Sequence, residues 1–221
     1  MKELPILFST PMVKTILAGR KTMTRRTHGL ERINDFVQKG HILRYDSIED
    51  GPDEDGYVWF EEISPDGNPT EIYRSAKPKY QIEDHIWVRE TFFEARKWKH
   101  APLFSKGPDF IYRADEDVFI GDHNWKPSLF MPKEAARIWL EVTNVRCERL
   151  QDISKEDALA EGVESIESPD FRKYKEYTEG TFNLKFATHS FFSLWRKING
   201  KDSVAANPWV FVYEFKRIER P

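Results

Sequence analysis

The segment Gly19–Arg26, which reads Gly-Arg-Lys-Thr-Met-Thr-Arg-Arg, concentrates four cations and two hydroxyls in eight residues. Lys21 and Thr24 are three residues apart, so a helix-like turn would bring their side chains together. A lysine that is partly desolvated and crowded by arginines favours its neutral form. Because neutral lysine can take the proton of a threonine hydroxyl, the spacing predicts a Lys–Thr nucleophile. The same residues also fit a phosphate-binding loop or a solvated basic turn.

Glu161 is a candidate proton donor. It lies in the last turn of a predicted short helix, Ser154–Gly162, in which Ser154 is the N-cap and Asp157 occupies the capping-box position. The negative end of a helix disfavours a carboxylate, and this suits a general acid. A plainly exposed glutamate, or one neutralised by a nearby cation, is the alternative.

The segment His85–Thr91 is a candidate binding strand. Strand alternation places Trp87 and Arg89 on one face, where they would stack a base and hold a phosphate. An ordinary strand in which Arg89 pairs with a carboxylate is equally compatible with this pattern.

Composition excludes several classes of protein. Apolar residues make up 39% of the 221 residues, with 16 Phe, 8 Tyr and 7 Trp, and this excludes bulk disorder. No apolar run approaches the roughly 18–20 residues of a membrane span, and the apolar stretch near the start is too short for a signal peptide. We therefore expect a cytoplasmic protein without a membrane partner.

Motif searches predict neither a metal nor a cofactor. The single cysteine, Cys147, excludes an intramolecular disulfide and a cysteine zinc site. The six histidines lack ligand spacing, and P-loop, Gly-x-Gly-x-x-Gly and Gly-x-Ser-x-Gly motifs are missing from the sequence. Cys147 lies in a predicted strand, where a packed side chain is the expected role.

Charge is distributed unevenly along the chain. Residues 1–44 hold nine Lys/Arg against three Asp/Glu, whereas residues 45–84 hold three against twelve, although the net charge is only −3. The positive field near the N-terminus favours a polyanionic partner. The acidic run predicts a solvated loop and hairpin that repel nucleic acid.

The hydrophobic pattern predicts an α+β chain with many strands and three short helices. The helices are Thr10–Gly19, with Thr10 as cap, then Ser154–Gly162 and Ser190–Asn199; the strands are His41–Tyr45, Tyr57–Ile63, Glu71–Arg74, His85–Glu90, Phe110–Ala114, Arg137–Arg149 and Trp209–Ile218. Residues 164–187 show no clear period and predict an ordered but irregular excursion. These elements predict one domain, residues 1–221, built as a small mixed β-barrel with helical covers.

Several segments resemble ASCH-domain proteins, most closely the longer branch found in phages and prophages. Ile6–Met12 followed by Ile16–Arg26 is similar to the family's opening. Four later segments also resemble that branch in the expected order: Asp84–Thr91, Trp125–Pro132, Arg137–Ser154 and Asn207–Val210. Residues 46–76 resemble a lineage-specific insertion containing a β-hairpin, and residues 164–187 correspond to a segment that varies within the family. The resemblance implies a PUA-like barrel with an RNA-related cleft near the basic segment.

One small class in this family, the acetylcytidine amidohydrolases, carries a similar G-R-K-T-x-T motif. There a lysine, a threonine and a later glutamate hydrolyse an acetylated exocyclic amine. Motif matching assigns these roles to Lys21, Thr24 and Glu161, and it leaves substrate binding to a set of neighbouring and strand residues: Arg20, Arg25, Arg26, Trp87 and Arg89.

This chain also departs from the small class. It is considerably longer, its acidic insertion could cover the cleft, and Arg25 and Arg26 add positive charge that a single nucleoside does not need. The alternatives are therefore a non-catalytic RNA-binding module, a ribonuclease-like enzyme, or an accessory protein that recognises another protein. RNA binding through phosphates weakens steeply with salt, whereas hydrolysis of a neutral nucleoside does not.

Overall fold

Thirteen strands and four α-helices form the part of the chain that this computed structural model describes, residues 1–45, 52–100, 106–115, 125–168 and 171–221. In chain order they are β1 (Glu3–Leu7), α1 (Thr10–Leu17), β2 (Met23–Arg26), α2 (Glu31–Gln38), β3 (Ile42–Tyr45), β4 (Val58–Ile63), β5 (Pro69–Ala76), β6 (His85–Arg89), β7 (Phe92–Phe93), β8 (Ile111–Tyr112), β9 (Trp139–Arg149), α3 (Lys155–Ala160), β10 (Ser165–Ser168), β11 (Phe171–Glu176), β12 (Thr181–Leu184), α4 (Ala187–Asn199) and β13 (Trp209–Ile218).

These elements group into two compact units. The first comprises Met1–Gly19, Glu83–Glu141 and Lys216–Pro221, and the second comprises Arg20–Ile82 and Val142–Phe215. Strands β9 and β13 contribute residues to both units. The single domain over residues 1–221 stays a prediction.

The first unit contains a strand set ordered β1-β6-β9. β1 runs parallel to β6, with Leu4 opposite Ile86, and β6 runs antiparallel to the start of β9, with Trp87 opposite Trp139. Its core is a buried cluster of large and small apolar side chains: Trp87, Phe92, Met131, Ala135, Ala136 and Trp139.

Helix α1 lies in the first unit and shows an apolar stripe, as predicted. Val13 and Ile16 are buried, while Gly19, at φ +69°, follows the helix in the left-handed region that glycine tolerates. The predicted cap is wrong by one residue, since Ser9 is the N-cap and the helix begins at Thr10.

The second unit contains the strand set β9-β13-β2. β2 pairs antiparallel with β13, with Thr24 opposite Tyr213 and Arg25 opposite Val212. Met23, Val212 and Phe191 of α4 are buried in one apolar cluster. The helix-like turn predicted for this basic segment is therefore wrong, because Met23 faces an apolar core while its backbone joins the sheet.

A three-stranded antiparallel sheet, ordered β3-β4-β5, also lies in the second unit. It contains the described part of the predicted insertion, residues 52–76, and the antiparallel pair β4 and β5 confirms the predicted hairpin. The remaining part of the insertion, residues 46–51, lies outside the described residues.

The excursion at residues 164–187 is more regular than the sequence predicts. β10, β11 and β12 form an antiparallel meander in which Ser165 pairs with Tyr174 and Glu176 pairs with Thr181. Tyr174 and Glu176 are buried, whereas Lys175 between them is not fully buried. Alternation is present, but its inward face includes a glutamate, so a hydrophobic pattern does not reveal it.

The mixed α+β character, with mostly strands and few helices, agrees with the sequence prediction. None of the sheets built from the described residues closes into a barrel, so the predicted barrel closure is not seen there. Strand alternation specifies which face of a sheet is buried, but it does not specify whether the edge strands meet. Among the described residues, none of the helices has the length and apolar character that a bilayer span requires.

Candidate active site

Lys21 and Glu161 form a buried ion pair in the second unit. Lys21 is 2% exposed and Glu161 is 5% exposed, and the Lys21 Nζ lies 2.7 Å from the Glu161 Oε2. Lys21 also donates to the backbone carbonyls of Met23, at 2.8 Å, and Glu161, at 2.9 Å. Since an ammonium group has three protons to donate, these contacts hold it in one position. The structure thus brings together two of the three residues that the resemblance nominates for catalysis.

The backbone of Thr22 holds Lys21 beside the end of α3. The Thr22 N–H donates to the carbonyl of Ala160 at 2.8 Å, and the Thr22 carbonyl accepts from the Phe215 N–H at 2.8 Å. The last carbonyls of a helix have no partner within the helix, and here Thr22 and Lys21 bind two of them. Glu161 is the C-cap residue, so a cation lies at the negative end of α3.

Arg25 binds three carboxylates with a fully buried side chain. Its Nη2 lies 2.5 Å from the Glu148 Oε1 and 2.6 Å from the Asp157 Oδ2, and its Nη1 lies 3.4 Å from the Glu161 Oε1. Its Nε also donates to Glu148, at 3.0 Å. Glu161 therefore has one cation on each carboxylate oxygen, with Lys21 on Oε2 and Arg25 on Oε1.

A second arginine, Arg146, extends this arrangement. It donates to Asp157 at 2.5 Å and to Glu148 at 3.2 Å, and it also contacts Glu214. We name the whole set the ion cluster: Lys21, Arg25, Arg146, Glu148, Asp157, Glu161 and Glu214. It holds three cations and four carboxylates. The charge of Arg25 is therefore balanced within the ion cluster, which has no net positive charge.

Thr24 and Arg26 lie on the face of β2 opposite Met23 and Arg25, because side chains alternate along a strand. Thr24 is buried opposite Tyr213. The charge of Arg26 interacts with Tyr80 and Tyr213, whose rings pack edge to face at 5.1 Å. Burial raises the pKa of Tyr80 to about 12 although Arg26 opposes the shift, so this phenol stays protonated at neutral pH.

Within the ion cluster, Lys21 is the cation that loses its proton most readily. Burial lowers its pKa below the ordinary 10.5; Glu161 opposes this shift, and the charges of Arg26 and Arg25 reinforce it. Burial also acts to lower the pKa of Arg25, but Glu161, Glu148 and Asp157 together raise it above the ordinary value. An arginine is in any case charged at all accessible pH values.

The contact between Lys21 and Glu161 supports acid–base chemistry. If a proton crosses the 2.7 Å from Nζ to Oε2, it leaves a neutral amine and a carboxylic acid. The amine is then a base and the acid is a proton donor. A base and an acid side by side are an arrangement that general acid–base catalysis uses.

The remaining predicted binding residues lie in different surroundings. Arg20 is exposed in the second unit. Trp87 and Arg89 belong to the first unit, where they share a strand face, as predicted, and the Arg89 Cζ lies 4.9 Å from the centroid of the Trp87 ring. Trp87 is 6% exposed and packs in the core of that unit. Its role with RNA stays a prediction that this burial does not favour.

Sequence reasoning did not nominate Glu148, Arg146 or Glu214, and it nominated Asp157 only as a capping residue. The prediction that Ser154 caps the helix is confirmed, because the Asp157 N–H donates to the Ser154 Oγ at 3.0 Å. The sequence did carry one indication of the Arg146–Glu148 contact, because these residues are two apart on a strand and therefore share its face.

Two further predictions concern metal binding and the cysteine. Within the described ranges, no group of three or more His, Cys, Asp or Glu side chains is placed to hold a metal ion. Cys147 is buried, and burial raises the pKa of its thiol. The prediction that Cys147 is a packed side chain is confirmed.

Comparisons with known proteins give no family assignment. No protein-family model, no curated protein and no solved structure matches the chain. The ASCH resemblance therefore rests on the sequence motifs alone.

Proposed function

We propose that this chain is a cytoplasmic, nucleoside- or RNA-directed hydrolase of the ASCH type, with a PUA-like fold, that cleaves the amide of an acylated nucleobase amine. Lys21, Thr24 and Glu161 are its reactive residues. The proposal depends above all on one observation, the buried contact of 2.7 Å between the Lys21 amine and the Glu161 carboxylate. A buried charged pair with further hydrogen bonds is costly to desolvate, and perturbed groups of this kind cluster at functional sites.

In the proposed reaction Lys21 is the base. Its neutral amine takes a proton from a water molecule, the water oxygen bonds to the acyl carbon, and the carbonyl oxygen becomes an oxyanion. The C–N bond then breaks as Glu161 gives its proton to the leaving amine. The acid leaves, and the Lys21–Glu161 pair is back in its starting protonation state. Thr24 lies on the face of β2 opposite Arg25, so we assign it the holding of the attacking water and not the nucleophilic attack.

Arg26 is the preferred oxyanion stabiliser among the basic residues. It shares a face of β2 with Thr24, because the two are separated by one residue in an extended strand. Arg25 is on the opposite face and is bound to three carboxylates. A preorganised cation near the developing negative charge is typically worth several kcal/mol to an acyl-transfer reaction, on the order of 3.

The ion cluster favours the hydrolase over an RNA-binding module or a ribonuclease-like enzyme. Phosphate binding needs cations with free hydrogen-bond donors, whereas Arg25 and Arg146 are each bound to three carboxylates. Of the four cations in Gly19–Arg26, Arg20 is the exposed one, and a single exposed cation does not make a basic stripe.

The test is acetate release from acetylcytidine by the purified protein. Each reactive residue has a matched exposed control: Lys21→Met beside Lys155→Met, Thr24→Val beside Thr22→Val, and Glu161→Gln beside Glu156→Gln. We expect the three site variants to lose about 10²–10⁴-fold in kcat/KM, and the three controls to keep the wild-type rate.

A stability measurement separates catalysis from folding. Removing one partner of a buried ion pair costs about 3–5 kcal/mol, but replacing both by apolar residues is often neutral. We therefore expect Lys21→Met combined with Glu161→Leu to unfold near the wild-type urea midpoint and still release no acetate. A folded double variant that keeps wild-type activity would contradict the proposal, as would a wild-type protein without acetate release.

A further inference from the structure

The β3-β4-β5 sheet carries large apolar side chains on its outward face. Cross-strand register places Trp59 opposite Ser75, Tyr73 opposite Glu61 and Ile42 opposite Ile63, all on that face. Tyr57 precedes β4 and its ring centroid lies 6.5 Å from that of Trp59. We name Ile42, Tyr57, Trp59 and Tyr73 the aromatic face.

This face is exposed although the opposite face already forms a core. Val58, Phe60 and Leu43 point inward and are buried, whereas Trp59 is 40% exposed and Tyr73 is 50% exposed. An antiparallel sheet with one buried face normally shows polar residues on the other. Adjacent exposed apolar side chains with a polar border are typical of an interaction surface.

Acidic turns lie at both ends of β4. Asp53, Glu54 and Asp55 are exposed before the strand, and Asp66 is exposed in the turn after it. The pKa of Asp53 is lowered by hydrogen bonds from the Trp59 indole and the Tyr57 N–H, so it is ionised at neutral pH. Two cations lie at the same face: exposed Arg44 pairs with the buried Glu61, and Lys77 lies beside Tyr57. Counted against Glu61 and the four turn carboxylates, these two cations leave the border of the aromatic face negative, which disfavours a nucleic acid and favours a cationic partner.

Aromatic rings of this part of the chain already bind cations. The Arg74 Cζ lies 3.5 Å from the centroid of the Phe36 ring, and the Lys77 Nζ lies 4.5 Å from that of the Tyr57 ring. The Trp59 Nε1 donates to the Asp53 Oδ2 at 2.7 Å, and this contact fixes the orientation of the indole. Among aromatic side chains the indole is the best cation–π acceptor, and the Asp53 carboxylate beside it also attracts a cation.

We propose that the aromatic face docks a lysine- and arginine-rich segment of a partner protein. The cations of that segment lie over Trp59 and Tyr73 and pair with the acidic turns, while its aliphatic stems cover Ile42. This proposal is independent of the hydrolase proposal, because it uses none of the residues of the ion cluster.

The test is a titration of the full chain with a twelve-residue peptide that alternates arginine or lysine with serine. We expect saturable binding that weakens as sodium chloride rises. Trp59→Ala and Tyr73→Ala should each weaken binding about two- to fivefold, and Glu54→Gln combined with Asp55→Asn should also weaken it. Trp98→Ala is the matched control, because Trp98 is 42% exposed in the first unit, and it should bind like the wild type.

Three outcomes would overturn this proposal. The first is equal binding of the basic peptide by the wild type and by the Trp59→Ala, Tyr73→Ala double variant. The second is equally tight binding of a glutamate–serine peptide or of oligouridylate that depends on Trp59. The third is sedimentation of the wild type as a dimer that Trp59→Ala dissociates, since the face would then bind a second copy. All of these variants change exposed side chains, so failed folding does not obscure the result.

Discussion

Arg25 illustrates how one side chain can organise a site without acting in the proposed reaction. It binds Glu148 and Asp157 and also holds the Glu161 oxygen that Lys21 does not contact. An arginine offers five donors in a rigid plane, whereas a lysine offers three on a flexible stem. Arg25 is therefore better described as a positioning residue than as a phosphate ligand.

This interpretation predicts a large effect of a change that keeps the charge. Arg25→Lys should lower the free energy of unfolding by about 1–3 kcal/mol, because buried carboxylates lose hydrogen bonds to a charged partner. The same substitution at the exposed Arg32 should change it by less than about 0.5 kcal/mol. Urea denaturation followed by circular dichroism measures both values. Equal effects at the two positions would argue against a special role for Arg25.

At the residue scale, the motif and the resemblance predicted the Lys21–Glu161 pair, but they did not predict the side chains around it. Lys21 and Glu161 are 140 positions apart in sequence, and the resemblance alone suggested that they meet. The acidic partners of Arg25 were not predicted, because a carboxylate becomes informative only when the fold shows which cation it contacts.

At the scale of elements, the two glycines that flank α2 provide a matched pair. Gly29, at φ +93°, precedes the helix, and a Cβ there would lie 2.7 Å from the backbone carbonyl oxygen of Lys77. Gly40, at φ +92°, follows the helix, and a Cβ there would meet nothing within 4 Å. Both positions carry the same left-handed strain, so they differ in what a Cβ would meet: the Lys77 carbonyl and, at 3.3 Å, the Phe211 ring at Gly29, and nothing at Gly40.

We expect Gly29→Ala to destabilise the protein by about 1–3 kcal/mol more than Gly40→Ala, because a backbone carbonyl cannot move aside without shifting its strand or turn. Both variants should lose about 1 kcal/mol from the left-handed backbone. Urea midpoints of the two variants provide the comparison. If Gly29→Ala lowered the free energy of unfolding no more than Gly40→Ala does, the backbone around Lys77 would be able to shift at little cost.

Long elements with apolar periodicity were predictable, and short polar ones were not. The final strand was predicted with its observed bounds, Trp209–Ile218, and the long strand β9 to within two residues. β2 was predicted as a turn because Thr24, Arg25 and Arg26 leave only Met23 as an apolar residue. Its burial depends on ion pairs with distant carboxylates, and hydrophobic periodicity does not register them.

At the scale of the whole molecule, buried tyrosines contribute to the response to alkaline pH. Burial raises the pKa of Tyr80, Tyr112 and Tyr177 to about 12, against about 10 for an unfolded chain. The folded chain thus keeps protons that the unfolded chain loses. The stability that these phenols contribute is complete below pH 10 and is lost as pH rises toward 12.

Between pH 9 and 11, the free energy of unfolding of Tyr80→Phe should therefore fall less than that of the wild type. At pH 11 the difference between the two losses should be about 1.4 kcal/mol. Tyr57→Phe is the control, because Tyr57 is exposed and its substitution should leave the profile unchanged. Urea unfolding at five pH values across this interval gives both profiles. A Tyr80→Phe profile that parallels the wild type would rule out a titrating role for this phenol.

The buried thiol of Cys147 has a practical consequence for the whole molecule. It is the one cysteine in the sequence, it is buried, and its raised pKa keeps it as the unreactive thiol at neutral pH. A second cysteine placed at Ser75, which is exposed opposite Trp59, would then react with a maleimide dye while Cys147 stays unmodified. The native chain is already suited to single-site fluorescent labelling, with no cysteine to remove first.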